Sequence, residues 1–153
     1  MNKNFFFIFA LDNLSYAVDL FCVKRIIQAV EITPVPECRN SILGIINVNG
    51  TIVPVIDIRQ KLNLPFKMLD PNDIIVILTI TNRTIAFVVD SVNNISELKE
   101  ENIIRSTDIL PGLDNIEGVI KIRSDLILLH DLHKLFSLAD KENIQALLND
   151  QTC

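Results

Sequence analysis

The chain has 153 residues, with 14 Lys and Arg against 19 Asp and Glu, for a formal net charge of −5. This acidic balance, with no basic cluster longer than Lys24-Arg25, argues against nucleic-acid binding, which depends on neutralising phosphates. Hydrophobic residues make up 49% of the chain, but no apolar run approaches the ~20 residues that a membrane helix needs. The 3 cysteines lack CxxC spacing, which argues against a disulfide framework or a zinc site, and we expect a soluble protein of the reducing cytoplasm.

Short runs of Ile, Val, Phe and Leu, separated by Asn, Asp, Gly and Pro, predict a mainly β protein. The aromatic start of the chain is followed by Asp12 and Asn13 instead of a cleavage site, so we interpret it as a first strand. Asp12-Asn13 and Asn49-Gly50 are predicted to form tight hairpin turns. The strands expected in the first half are 5–11, 14–19, 23–30, 42–48 and 51–57.

A second series of strands follows a break between Leu64 and Asn72. These strands are expected at 74–80, 84–90, 92–98, 116–122 and 126–130. The two series match without gaps, since 43–48 aligns with 117–122 and Asp57 aligns with Asp131 at the same offset. Two such copies are too few for a solenoid, so the repeat predicts two small five-stranded barrels, at 4–66 and 72–137.

Helical patterns occur at three places. Asp57 and Asp131 each follow the last strand of a copy and precede apolar residues at helical spacing, so each is predicted to accept hydrogen bonds at a helix start. Residues 138–153 are rich in Ala, Leu, Lys, Glu and Gln, which predicts a C-terminal helix and tail. We expect the apolar side of that helix to pack on the body of the protein.

Residues that could carry chemistry are few. His130, Asp131 and His133 form the one cluster that invites a catalytic or metal-binding interpretation, but they lack the three or four converging ligands of a metal site. The first copy has Ile56 and Arg59 at the positions of the two histidines. Phosphate-binding loops and nucleophile elbows are absent from the sequence. We therefore expect no enzyme, no cofactor and no metal.

Gly44 and Gly118 lie inside strands at matching places, which predicts a bulge or the close approach of another backbone; we favour a barrel corner over an interface. Pro54 lies within a predicted strand. Because proline lacks the N–H of a sheet ladder, it favours an edge position or a bulge for that strand.

Residues 43–59, LGIINVNGTIVPVIDIR, resemble the pattern G-x-x-N-x-R-G-x-x-x-P-x-x-D-L-R of the CheW family of chemotaxis coupling proteins. The strands on either side stand in the order of that family, so the resemblance runs from Phe5 to Phe136. It implies a single CheW-like domain over 1–153, built from two SH3-like β-barrels. It also implies a cytoplasmic adaptor that joins the tips of methyl-accepting chemoreceptors to the regulatory domain of the histidine kinase CheA, in arrays at the inner face of the membrane.

The resemblance also implies the binding residues. The receptor tip would lie in an apolar groove between the barrels, at positions that match Val23, Arg25, Ile27, Asn49, Val92 and Ile95. Kinase-binding positions of the family match Gly44 and Arg59. Because strand side chains alternate between faces, plain core packing is an equal alternative for each of the apolar groove residues.

Two departures from the family pattern concern charge. The family carries Glu in V-x-E-I and Arg in N-x-R-G, whereas this sequence has Arg25 and Asn49. We therefore consider a divergent partner in a chemosensory pathway that does not control flagella. A sensor that holds a small apolar ligand between the barrels is a second alternative, and an enzyme that uses His130 and Asp131 is a third.

Overall fold

The computed structural model describes residues 4–36, 41–98, 100–105, 116–122 and 125–132. The strands in these ranges are β1 Asn4–Leu11, β2 Leu14–Asp19, β3 Val23–Gln28, β4 Ile42–Val48, β5 Thr51–Ile56, β6 Ile74–Ile80, β7 Arg83–Val89, β8 Ser91–Leu98, β9 Ile103–Arg105, β10 Ile116–Ile122 and β11 Asp125–His130. One short helix, α1 Ile58–Lys61, follows β5, and single 3-10 turns are formed by Leu20–Cys22 and Glu100–Asn102.

The mainly β fold predicted from the sequence is confirmed. Every predicted strand is present, with ends that differ from the prediction by at most two residues. The prediction missed β9, because a strand of three residues is too short for a period-2 pattern. The helix predicted for 138–153, and the one predicted after Asp131, lie outside the described residues apart from Leu132.

The hairpin turns use positive backbone φ angles, as predicted. Asp12 and Asn13 have φ of 50 and 67°, and Asn49 and Gly50 have φ of 51 and 90°. Asn47 Oδ1 accepts a hydrogen bond from the Gly50 N–H at 2.8 Å, which fixes the second of these turns. Two-residue turns with positive φ at both positions match the right-handed twist of the strands that they join.

The two sheets exchange strands between the halves of the chain. One sheet has six strands in the order β8-β1-β2-β11-β10-β9, and the other has five in the order β3-β6-β7-β5-β4. The sheets therefore do not divide at 4–66 and 72–137, where the repeat predicted one barrel each. The first hairpin of the first half, β1–β2, joins the six-stranded sheet through the parallel pair β2–β11. The first hairpin of the second half, β6–β7, joins the five-stranded sheet through the parallel pair β5–β7.

The buried side chains of the described residues form three apolar clusters. A central cluster lies between the sheets and joins Phe7, Phe9 and Tyr16 of the first sheet to Val76, Leu78 and Phe87 of the second. The rings of Phe9 and Phe87 meet across the two sheets with centroids 5.5 Å apart. Two further clusters line the opposite faces, one around Phe6, Ile8 and Leu129 and the other around Val55, Ile75 and Ile77. Each fully buried side chain of this kind contributes about 1.5–3 kcal/mol.

Both strand glycines lie at bulges where another segment of the same chain comes close. A Cβ atom on Gly44 would lie 2.2 Å from the carbonyl oxygen of Thr33, and one on Gly118 would lie 2.6 Å from that of Ile104. The pairing register shifts beside both glycines. A side chain at either position would push away the backbone that covers the sheet edge.

Pro54 does not lie in an edge strand, because β5 sits between β4 and β7. The parallel pairing of β5 with β7 involves Val55 and Ile56 and so starts after the proline. The missing N–H therefore falls where no bond to β7 is needed. Of the two alternatives predicted for this strand, the edge position is wrong, whereas a bulge is present in the partner strand β4, between Ile42 and Gly44 opposite Ile56 and Val55.

Candidate functional site

Arg59 connects the two sheets through a partly buried ion-pair network. Asp57 caps α1 by accepting a hydrogen bond from the Gln60 N–H, as predicted, and thereby sets the start of the helix that carries Arg59. The guanidinium donates to both carboxylate oxygens of Asp12, at 3.0 and 2.9 Å, and to both of Asp90, at 3.0 and 3.1 Å. Asp12 lies in the β1–β2 turn, and Asp90 lies between β7 and β8, where the chain passes from the five-stranded sheet to the six-stranded sheet. The arginine therefore binds both segments and links the two sheets.

The charges in this network fix each other's ionised states. The hydrogen bond to Asp12 is the largest influence on Arg59, and it raises the pKa of the guanidinium against the opposing effect of burial. Burial alone raises the pKa of Asp90, but the backbone N–H of Asp12 and the guanidinium outweigh it, so the pKa of Asp90 lies below its ordinary value. Lys67 adds a second cation, with its Nζ 2.8 Å from Asp73 and 3.4 Å from Asp90.

A bulge at Lys24 in the edge strand β3 changes which of the following residues face the central cluster. Val23 pairs with Leu78, whereas Arg25 pairs with Ile77, so the register shifts by one residue between them. Cross-strand partners share a face, which puts Val23 and Ile26 on the side of the central cluster. Ile27 lies on the opposite face, where it packs against the cluster around Ile75.

The other edge strand, β8, has a matching bulge. Val92 pairs with Phe9 and Ile95 pairs with Phe7, so both lie on the face of the central cluster although they are three residues apart. Val92 is half-buried there, and the side chain of Ile95 is 57% exposed. Of the four apolar residues predicted for the groove, the structure thus places Val23, Val92 and Ile95 on the inter-sheet side.

Ile26 is a residue of this surface that sequence reasoning missed. It is 43% exposed and lies on the same face as Val23. Simple alternation from Val23 selects Ile27, and only the bulge, which leaves no clear mark in the sequence, moves Ile26 to this side. We call Val23, Ile26, Val92 and Ile95 the inter-sheet apolar set.

The two residues that depart from the family pattern are both solvent-exposed. Arg25 lies on β3 and takes part in no salt bridge with another described residue. Asn49 occupies the β4–β5 turn. Arg25 therefore faces water, which removes the cost of burying a lone charge.

Gly44 and Arg59, the predicted kinase-binding positions, are both buried. Gly44 lies under Thr33, and Arg59 lies under Pro65, whose carbonyl oxygen accepts a hydrogen bond from the guanidinium at 3.1 Å. The two residues therefore support the surface above them and do not form it.

His130 belongs to the packing between the sheets. It is 6% exposed, and its ring lies 5.4 Å from that of Tyr16. In the described part of the chain no three His, Cys, Asp or Glu side chains are grouped as a metal site would need, and His133 lies outside it. None of the described helices is long and apolar enough to cross a membrane.

The CheW-like domain family model matches residues 6–140. The chemotaxis protein CheW of Klebsiella aerogenes is 29% identical over 134 residues, which cover 86% of this chain and 81% of that protein. CheW of Bacillus subtilis is 28% identical over 151 residues, covering 94% of this chain and 92% of the relative.

A solved structure has the same fold. The crystal structure of the scaffolding protein TtCheW from Thermoanaerobacter tengcongensis superposes with a TM-score of 0.80 and 28% identity, covering 92% of this chain and 97% of that one. The likeness spans both sheets and agrees with the motif in residues 43–59. The chain therefore belongs to the CheW-like domain family.

Proposed function

We propose that this protein is a non-catalytic chemotaxis adaptor that couples the cytoplasmic tip of a methyl-accepting chemoreceptor to the regulatory domain of a CheA-type histidine kinase. Membership of the CheW-like family over residues 6–140 supports this role. The adaptor works in the cytoplasm, held at receptor arrays on the inner face of the membrane by its partners, without inserting into the membrane itself.

The observation that carries the proposal is the inter-sheet apolar set. Val23 and Val92 come from the edge strands of different sheets and pack against the same central cluster, and Ile26 and Ile95 extend that surface outward. Protein interfaces gain affinity from a few apolar anchors of this kind. A receptor helix that lies along this set would bury the exposed parts of Ile26 and Ile95.

Arg25 lies on β3 next to Ile26 in sequence, but its cross-strand partner Ile77 puts it on the face opposite the inter-sheet apolar set. A receptor that also reaches this edge of β3 would be favoured if it carries a carboxylate there, because the guanidinium is exposed and makes no salt bridge with the residues that the structure describes. A receptor adapted to the usual Glu of the family would instead meet a like charge at this position. This difference supports the choice of a divergent receptor, such as one from a pathway that does not control flagella.

The alternative of a small-ligand sensor has weaker support. The polar groups that line the recess beside α1, Asp57, Arg59, Lys67 and Asp73, are engaged in the helix cap and the ion-pair network. A ligand would have to break these internal bonds to be recognised by them. The adaptor role needs no such rearrangement.

Calorimetric titration against a receptor-tip fragment and a kinase regulatory domain from the same genome tests the proposal. We expect micromolar binding to both, and we expect Val92→Glu to weaken receptor binding by about tenfold or more while leaving kinase binding intact. Leu126→Glu, at a 61% exposed position on β11, is the matched control. Absence of binding to both partners would exclude the adaptor role and favour the ligand sensor.

A further inference from the structure

The edge strands β3 and β8, which carry the inter-sheet apolar set, are related by a pseudo-two-fold axis. Each pairs with the first strand of the opposite half of the chain, β3 with β6 and β8 with β1. The residue pairs correspond at one constant shift in residue number, with Val23–Leu78, Ile26–Val76 and Gln28–Ile74 matched by Val92–Phe9, Ile95–Phe7 and Glu97–Phe5. Pairing that is reciprocal in this way is characteristic of two-fold symmetry.

The inter-sheet apolar set follows this symmetry in both position and residue type. Val23 corresponds to Val92 and Ile26 to Ile95, and each strand has its bulge at the same place. A two-fold axis that maps a surface onto itself is perpendicular to that surface, so it reverses a helix that lies on the surface. Each pose of a partner on these four side chains therefore has a counterpart of equal energy and opposite direction. The apolar contacts alone cannot select a direction, because selection requires a difference between two affinities.

The polar residues beside the apolar set break the symmetry. Six exposed positions correspond in pairs, with Lys24, Arg25 and Gln28 of β3 matched by Asn93, Asn94 and Glu97 of β8. The first two pairs place cations on β3 where β8 has neutral amides. The third pair places a carboxylate on β8 where β3 has a neutral amide. The charge at the border of the apolar set therefore differs between the two strands.

Both cations can reach a partner that lies along the outer edge of β3. Lys24 is the extra residue of the bulge and has no cross-strand partner in β6. Arg25 lies on the face opposite the inter-sheet apolar set, but it is exposed and next to Ile26 in an edge strand. The long stems of lysine and arginine extend their charged groups past neighbouring side chains. These groups attract carboxylates of a partner more strongly than the amides of Asn93 and Asn94 do.

We propose that Lys24 and Arg25 determine the direction in which a receptor helix lies on the inter-sheet apolar set, by holding its carboxylate-bearing end against the first residues of β3. The proposal rests on the proposed adaptor function, which places a receptor helix on this surface. The partner is an amphipathic helix with an apolar stripe and with acidic residues toward one end. The four apolar side chains determine how tightly this helix binds, and the two cations determine which way it points.

Paramagnetic relaxation in the full chain, bound to a receptor-tip fragment, measures this direction. A nitroxide attached beside the acidic residues of the contact helix broadens nearby amide signals, and the amides of Val23 and Val92 report the two directions. We expect the relaxation rate at Val23 to exceed that at Val92 by about tenfold, because two exposed ion pairs together favour one direction by about this factor. Added salt should bring the two rates closer together, since it screens exposed charges.

Two variants transfer polar residues between the strands. The symmetric variant carries Lys24→Asn, Arg25→Asn and Glu97→Gln, which give β3 and β8 the same polar border, and its two relaxation rates should be equal. The exchanged variant also carries Gln28→Glu, Asn93→Lys and Asn94→Arg, and its ratio of rates should be inverted.

The matched control is Lys121→Asn, which removes an exposed cation from β10 and should keep the wild-type ratio. Because every substituted side chain is exposed, circular dichroism melting should show the same stability for all variants.

The outcomes separate this proposal from the proposed function. If the symmetric variant keeps the wild-type ratio, another difference between the strands sets the direction and the proposal is wrong. Phe21 is such a difference, since it is 82% exposed at the position that corresponds to Asp90. If the wild type binds with equal rates at Val23 and Val92, the receptor contact stands and the directional role is overturned. If the wild type does not bind the receptor fragment, the proposed function fails and this proposal fails with it.

Discussion

At the scale of single residues, Arg59 is the point on which the inter-sheet geometry depends. Its planar guanidinium donates to two carboxylates and one carbonyl oxygen, and these lie in three different segments of the chain. A lysine cannot reproduce this geometry, because its ammonium group lacks the rigid fork of an arginine. The Arg59 side chain is 11% exposed, but Asp12 and Asp90 are 37% and 29% exposed, so water can replace the lost bonds only in part.

Replacing Arg59 should therefore destabilise the fold. We expect Arg59→Met to lower the free energy of unfolding by about 2–4 kcal/mol, since it leaves Asp12 without its cation and Asp90 with only the Lys67 ammonium at 3.4 Å. Arg59→Lys should lose less. Arg25→Met is the matched control, because this exposed arginine has no salt-bridge partner within the described ranges, and it should change stability by about 0.5 kcal/mol or less. Urea denaturation of the variants measures these differences, and equal stabilities for Arg59→Met and Arg25→Met would contradict the role of the network.

Asp90 predicts a pH dependence of stability. Its pKa is lowered in the folded protein relative to the ordinary value of about 3.9, so the charged form favours folding. The stabilisation is present above that ordinary value and is lost as the pH falls through the lowered folded value. The difference in unfolding free energy between wild type and Asp90→Asn should stay constant from about pH 8 to 5 and shrink below about pH 4. Denaturation at several pH values measures this, and a difference that stays constant to pH 3 would count against it.

At the scale of elements, the strands depend on bulges that set which residues reach each surface. The shifts beside Lys24 in β3 and Asn93 in β8 bring Ile26 and Ile95 to the inter-sheet side. A bulge adds one residue to one strand and reverses the faces of those that follow. The same sequence without these bulges would present a different apolar surface.

Ile26 and Ile27 should respond differently to the same substitution. Ile26→Glu should weaken receptor binding with little change in stability, because the side chain is 43% exposed on the inter-sheet side. Ile27→Glu should lower stability by about 1–3 kcal/mol, because its side chain packs against an apolar cluster on the opposite face. Thermal melting and receptor titration of the two variants separate these effects. The reverse pattern would show that the faces of β3 are assigned wrongly.

Gly44 should be intolerant of a side chain. We expect Gly44→Ala to cost about 2–3 kcal/mol, since the added Cβ would lie 2.2 Å from a backbone oxygen that must move. Gly50→Ala is the control, because nothing lies within 4 Å of its added Cβ and only its φ of +90° is unfavourable, which costs about 1 kcal/mol. Urea denaturation compares the two, and a smaller loss for Gly44→Ala than for Gly50→Ala would refute the close approach.

Strand positions and hairpin turns were predictable from the sequence, because apolar alternation and residues such as Asn49-Gly50 act locally. The family motif in 43–59 also located the Asn49-Gly50 turn and Arg59. The partners of Arg59 were not predictable, since Asp12 and Asp90 are 47 and 31 residues away in the chain. The bulge in β3 was hidden for a similar reason: Lys24 is the extra residue only relative to β6, which pairs with it from the other half.

At the scale of the whole molecule, the exchange of hairpins makes the two halves depend on each other. The repeat in the sequence suggested two units that follow one another, whereas each sheet contains strands from both halves. The β1–β2 and β6–β7 hairpins carry apolar residues on both faces, so the alternation of apolar and polar residues could not predict which sheet each hairpin joins. The shared central cluster then joins the sheets through Phe9 and Phe87.

Neither half should fold alone. Fragments 1–66 and 67–153, produced separately, should lack cooperative unfolding, because each would leave hairpin or edge strands unpaired and the central cluster open. Mixed or co-expressed, they should recover a folded complex. Circular dichroism melting and size-exclusion chromatography measure both outcomes, and a stable monomeric 1–66 fragment would contradict the exchange of strands.

The proposed adaptor role requires that one chain hold a receptor and a kinase at the same time on separate surfaces. Sedimentation velocity of the full chain with a receptor-tip fragment and a kinase regulatory domain measures whether it does. We expect a single species that contains all three components, formed in either order of addition. Displacement of one partner by the other, or the absence of a ternary species at concentrations that saturate each binary complex, would contradict it.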